Sequence, residues 1–227
     1  MLKGLFLRAV RIYNEDGAIE LISKSKKFAF RFIKNGFKVH RYQTDERVDT
    51  QKRLEIIQKQ IDENDSSLLD IGCADGYLTS KFHEKGLFCI GVDQAEQMLA
   101  IARSGRQYKD GLGFIRKEIT PDSLSKLPDF DVILLLTVYH HWVNSYGLKT
   151  AEDMLVELTE KGNKLFFQPP GKEIHNNVQK SSDQSIEEYY MNYLKETLPE
   201  STDIKLLDTT DYTDGERRDP LYLIMRN

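Results

Sequence analysis

Between residues 68 and 168 strand-sized apolar runs alternate with stretches of helical periodicity, and this rhythm constrains the fold more than any other feature of the chain. Residues 68–71, 87–92, 113–119, 130–136 and 164–168 each have the length and the Leu/Ile/Val/Phe content of a buried strand. Between them, 77–84, 95–102 and 148–160 repeat their apolar residues at three and four, as Met98, Leu99 and Ala102 do. Strands that take turns with helices form a mostly parallel sheet covered on both faces. After a further helix near 184–197 the rhythm changes. The connection from a strand at 204–208 to 221–225 is too short for a crossover helix, so this last pair is antiparallel. The expected fold is a doubly wound α/β sheet of seven strands, mostly parallel, with a C-terminal antiparallel strand.

The 227 residues and 26.3 kDa suit one such domain plus a short appendage. The boundary falls at 46/47, which leaves 47–227 as the domain, opened by a helix at 47–63, and 1–46 as a helical extension. The extension carries two amphipathic stripes, from Leu2 to Tyr13 and from Ala18 to Ile33. Residues 1–43 hold ten Lys and Arg against three acids, a charge of +7, which leaves −11 for the rest of a chain whose net charge is −4. A basic head on an acidic body has three readings: a lid over the cleft, a contact with an anionic membrane surface, or a patch for RNA phosphates. No apolar run approaches the roughly 18 residues of a spanning helix. Lys3, Arg8 and Arg11 interrupt the apolar start, so no secretory leader is expected. Cys73 and Cys89 fall in or beside buried strands, which argues against a disulfide framework and for the cytoplasm, with a possible place at the membrane surface.

The first strand runs straight into a glycine turn, Asp70-Ile71-Gly72-Cys73-Ala74-Asp75-Gly76, that opens a helix. Glycines suit a turn to which a nucleoside must come close, because a side chain would block the approach. The second strand ends on Asp93, 23 residues after Asp70, where a carboxylate can accept both hydroxyls of a ribose. The same Asp93 also suits the cap of the helix that follows it.

From about Ser66 to the C-terminus this pattern resembles the class I methyltransferases that use S-adenosylmethionine (SAM). The terminal antiparallel pair is part of the likeness and separates it from the NAD dehydrogenases. The resemblance implies SAM as cofactor, with Asp70, Gly72 and Gly76 on its methionine and ribose side and Asp93 at the ribose diol. It further implies Glu118 near the adenine amino group, with Cys73, Ala74, Gln94 and Thr137 in the same binding set. Ala74 stands where the family has its middle glycine and leaves less room there.

In that family the fourth strand ends beside the transferred methyl group. Here it delivers Thr137-Val138-Tyr139-His140-His141-Trp142, without the Asn/Asp-Pro-Pro-aromatic motif of the amine and adenine enzymes. Gln168-Pro169-Pro170 comes one strand later. Imidazole is a suitable base for a hydroxyl that loses its proton, so His140, followed by His141, is the candidate, with His175 a further one. The plainer alternative is that these rings wall the pocket. No Cys/His/Asp cluster has metal-ligand spacing, and no metal is expected. The expected activity is O-methylation of a small molecule or glycan. The alternatives are an RNA methyltransferase, suggested by a short likeness of 135–142 and Gln168-Pro169-Pro170 to the RNA methylphosphate-capping enzymes, and a catalytically silent SAM-binding partner subunit.

Overall fold

Seven strands form one sheet in the order β3-β2-β1-β4-β5-β7-β6. A computed structural model describes residues 41–104, 110–171, 183–211 and 218–226. The strands are β1 (Ser67–Ile71), β2 (Phe88–Asp93), β3 (Leu112–Arg116), β4 (Phe130–Leu136), β5 (Gly162–Gln168), β6 (Thr202–Asp211) and β7 (Arg218–Arg226). The first five are parallel to one another, whereas β7 runs antiparallel to both β5 and β6. Both the alternation and the antiparallel end are therefore as the sequence suggests. The basic segment at 1–40, and His175 with it, lie outside the described residues.

The helices are α1 (Thr50–Gln58), α2 (Tyr77–His83), α3 (Glu96–Arg103), α4 (Pro121–Leu124), α5 (Tyr139–Tyr146), α6 (Leu148–Glu160) and α7 (Ile186–Thr197). Central β4 explains why two layers of helix are needed. Val132, Ile133, Leu134 and Leu135 are all fully buried, so both faces of this strand lie in apolar surroundings. Ile133 and Leu135 join Tyr139, Leu155 and Tyr190 on one side of the sheet. Val132, Leu134 and Leu136 join Leu54, Leu78 and Phe82 on the other. Each such side chain contributes roughly 1.5–3 kcal/mol through burial.

Helix starts follow local chemistry. Ser185 accepts a hydrogen bond from Glu188 N while Glu188 bonds back to Ser185 N, and Thr120 and Ser123 repeat the arrangement at α4. The aromatics and histidines of 139–146 have no strong helical propensity. The segment folds as α5 because Tyr139, Trp142 and Val143, at helical spacing, all reach the core. Residues 42–46, grouped with the extension on the sequence, form a single π-helical turn that packs beside α2. Among the described residues, no helix is long and apolar enough to cross a membrane.

Candidate active site

The carboxyl ends of β1, β2 and β4 meet at the glycine turn. Gly72 and Cys73 both donate their backbone N–H to Val92 O, at 2.8 and 3.1 Å, which closes the turn against β2. Gly72 has φ +76°, and a Cβ built on it would lie 2.3 Å from Val138 Cγ2. Only a glycine lets the end of β4 approach this closely. Gly76, at φ +68°, does a different job, since a Cβ there would strike Phe114 and Ala102. It permits α2 to pack against β3 and α3. Ala74, in place of the family's glycine, adopts φ +49°.

The Asp93 carboxylate bridges two backbone groups. Oδ2 accepts from Ala74 N at 2.9 Å and Oδ1 from Ala95 N at 2.8 Å. The acid therefore holds both the glycine turn and the entry to α3, while each oxygen keeps a further lone pair toward the cavity. Asp70 is buried, and Thr79 Oγ1 donates to its Oδ2 at 2.6 Å. Burial pushes its carboxyl up to about 6, with the Asp93 charge in the same direction and the Thr79 bond opposing. Burial likewise pushes up the Cys73 thiol, whose sulfur fills the space left by Gly91.

Together these elements enclose a cavity of about 370 Å³, within the range of small-molecule sites. Of the residues the sequence singled out, Gly72, Ala74, Asp93, Gln94, Glu118, Thr137 and His141 are on its wall. Asp70, Cys73, Gly76 and His140 are not among the wall residues. The His140 and His141 rings touch at a tilt of 39°, with centroids 4.0 Å apart. Burial holds His141 below the usual imidazole value although its side chain reaches solvent, and the Asp93 charge opposes the shift. Tyr146 OH donates to Glu118 Oε1 at 2.7 Å and so ties α5 to the residues after β3. Burial, reinforced by Glu118, pushes that hydroxyl up to about 12. Among the described residues, no group of three or more His, Cys, Asp or Glu side chains could hold a metal ion.

The sequence reading missed Tyr42 and Gln43, which also face the cavity. Gln43 N donates to Asp75 Oδ2 at 3.0 Å and anchors the π-helical turn on the glycine turn. No periodicity marks these two residues, and their place follows from packing alone. Behind them lies a buried charged cluster that was equally illegible. Arg47 donates from Nε and Nη2 to the two oxygens of Asp49, each at 2.9 Å, and from Nη2 to Asp219 Oδ2 at 3.3 Å. Arg53 donates to Gln43 Oε1 and Gln168 Oε1, at 2.8 and 3.3 Å. Gln168 Nε2 in turn donates to Thr210 Oγ1 at 2.9 Å. Buried guanidiniums cost several kcal/mol each unless paired. Burial lowers Arg53 to about 10, with Arg47 adding to the shift and Asp49 opposing it. For Arg47 burial also acts downward, but the Asp49 carboxylate more than offsets it and the net shift is upward.

Residues 69–161 match the family model described as a methyltransferase domain. The O-antigen chain terminator bifunctional methyltransferase/kinase WbdD of Escherichia coli is 26% identical over 121 residues, which cover 49% of this chain and 17% of that protein. A ubiquinone biosynthesis O-methyltransferase of Pseudomonas fluorescens (strain SBW25) is 29% identical over 117 residues, 51% of this chain and 49% of that one. The chain thus matches about half or less of the length of these relatives. Among solved structures, the kinase-methyltransferase WbdD superposes with a TM-score of 0.65 at 20% identity, covering 81% of this chain and 41% of that one. The magnesium protoporphyrin IX methyltransferase ChlM from Synechocystis PCC 6803, with bound SAM, gives 0.56 at 17% identity over 96% and 94% of the two chains. At these identities the structures speak for the fold. A glycine cradle that a Cβ would fill, facing a carboxylate at the end of the second strand, fits a nucleoside-bearing cofactor. With sheet order, glycine turn and matched domain in agreement, the chain carries a methyltransferase domain on the fold of the class I, SAM-dependent methyltransferases.

Proposed function

We propose that this protein transfers the methyl group of SAM to an oxygen of a small molecule or a glycan. The observation that carries the reading is the cavity itself, in which the close-approach glycine Gly72 and the carboxylate of Asp93 share one wall with Glu118 and Thr137. Asp93 accepts the ribose hydroxyls, Glu118 accepts the adenine amino group, and Gly72, Ala74 and Thr137 border the methionine end. Asp70, Cys73 and Gly76 shape the turn from beneath. Bound here, SAM would supply an electrophilic methyl on its sulfonium for an acceptor oxygen, with S-adenosylhomocysteine as the leaving group. The chain then has to align the acceptor with that methyl and exclude water, which is mainly a matter of positioning. His141 stands on the wall, held below the usual imidazole range, and takes the proton of a hydroxyl acceptor. His140 packs against it. An oxygen acceptor is supported by the similarity to the ubiquinone biosynthesis O-methyltransferase, and a glycan by that to the O-antigen chain terminator.

Purified protein should be stabilised thermally by SAM and by S-adenosylhomocysteine, its demethylated product. Cell extracts supplied with methyl-labelled SAM should then yield a labelled small molecule or glycan. Stabilisation by NADH in preference to SAM removes the cofactor reading, and label that nuclease releases moves the acceptor to RNA. His141→Ala should lose roughly 10²–10⁴-fold in turnover with unchanged S-adenosylhomocysteine affinity. Normal turnover in that variant removes the base.

A further inference from the structure

We infer that Arg47 is a positioning residue that sets the methionine end of the cofactor cavity through Thr137. The inference rests on the proposed reading of that cavity as a SAM site. Thr137 has φ +58°, a left-handed backbone that β-branched residues rarely adopt. Such a conformation persists only where its surroundings over-determine it. Three bonds meet at this residue. Thr137 N donates to Gln168 O at 2.7 Å, Thr137 Oγ1 donates to Leu136 O at 2.7 Å, and Arg47 Nη1 donates to Thr137 Oγ1 at 3.2 Å. The guanidinium is itself aimed. Its side chain has no solvent exposure, Asp49 grips it with both oxygens, and Asp219 accepts from the same Nη2. Asp219 Oδ1 also accepts from Gly171 N at 2.6 Å, so the loop after β5 is tied to the same point.

What Thr137 sets is the next residue. Val138 Cγ2 stands where a Cβ on Gly72 would be, so the turn after β4 sets the clearance over the glycine turn. The strand order β3-β2-β1-β4 lines up Glu118, Asp93, Gly72 and Thr137 across the sheet edge. Gly72 and Thr137 therefore border the end opposite Glu118, where the amino-acid portion of the cofactor lies if Glu118 holds the adenine. A lysine at 47 would keep the charge but not the planar fork that serves Asp49, Asp219 and Thr137 together.

The test compares two ligands that differ only at that end: S-adenosylhomocysteine, and 5′-methylthioadenosine, which lacks the amino-acid portion. Arg47→Lys should weaken S-adenosylhomocysteine about tenfold, the loss of one charge-assisted bond, and leave 5′-methylthioadenosine unchanged. Thr137→Val, which keeps the shape and loses the hydroxyl, should likewise weaken S-adenosylhomocysteine and leave 5′-methylthioadenosine unchanged. The double variant should bind no more weakly than Arg47→Lys alone. Equal weakening of both ligands in Arg47→Lys would mark a merely structural arginine, and wild-type affinity in Thr137→Val would break the link. Either result overturns the inference while leaving the cofactor reading intact. A wild type that binds neither ligand removes both.

Discussion

Replacing Gly72 by alanine tests the close approach on which the cavity depends. The backbone there has φ +76°, and moving any L side chain into that region costs about 1–2 kcal/mol. The new Cβ would lie 2.3 Å from Val138 Cγ2, far inside the roughly 3.5–4 Å of a favourable carbon contact. Val138 must rotate or the turn must shift, at about 1–3 kcal/mol for overpacking. Alanine returns about 0.4–1 kcal/mol by restricting the unfolded chain. The net loss is about 1–4.6 kcal/mol, and a domain of this size should lose about 2–4 °C in Tm per kcal/mol. Calorimetric unfolding of wild type, Gly72→Ala, Val138→Ala and the double variant separates the two costs. Val138→Ala removes the offending methyl, so the double variant should be more stable than the sum of the singles by about 1–3 kcal/mol, with the backbone cost remaining. An unchanged Tm in Gly72→Ala, or additive singles, would refute the clearance argument.

Three further outcomes follow from the same residues. Asp70 is raised above its unfolded value, so its contribution is full below about pH 4 and is lost as pH rises through about 6; Asp70→Asn should flatten the fall in Tm across that window and unfold at higher temperature than wild type at pH 7.5. Asp93→Ala should cost about 1.5–3 kcal/mol of SAM affinity, read by calorimetry, and also lower Tm because Ala74 N and Ala95 N lose their acceptor. Tyr146→Phe frees Glu118 Oε1 and should tighten S-adenosylhomocysteine a few-fold, whereas weaker binding would make the tyrosine a ligand contact instead of a competitor for that carboxylate.

Much of the fold was legible because its causes are local. A run such as 132–136 is apolar at every position because the strand is covered on both faces, and the helix at 148–160 shows its buried face at a spacing of three and four. The glycine turn and Asp93 were legible for a related reason, since a positive φ and a strand-end acid leave their mark on residue type. The assignment of specific tasks was not. Gly72 and Gly76 look equivalent in the chain, yet one clears Val138 and the other clears Phe114 and Ala102, which depends on what the sheet brings opposite each. Of the two histidines the sequence puts His140 first, whereas the helical turn of α5 places His141 on the cavity wall.

The buried cluster marks the limit most clearly. Nothing in the chain singles out Arg47, Asp49 or Arg53, and Asp219 lies 172 residues away from Arg47. Charged residues are exposed by default because desolvating them is costly. Nothing in the local sequence says that this cost is met by partners from three distant strands. By itself the sequence determined the order and type of the strands and of most helices and the place of the glycine turn, since each rests on neighbours a few residues apart. Only the tertiary structure decided which charges are buried together and which side chains face the cavity, because those depend on contacts between segments that the chain separates by tens of residues to more than a hundred.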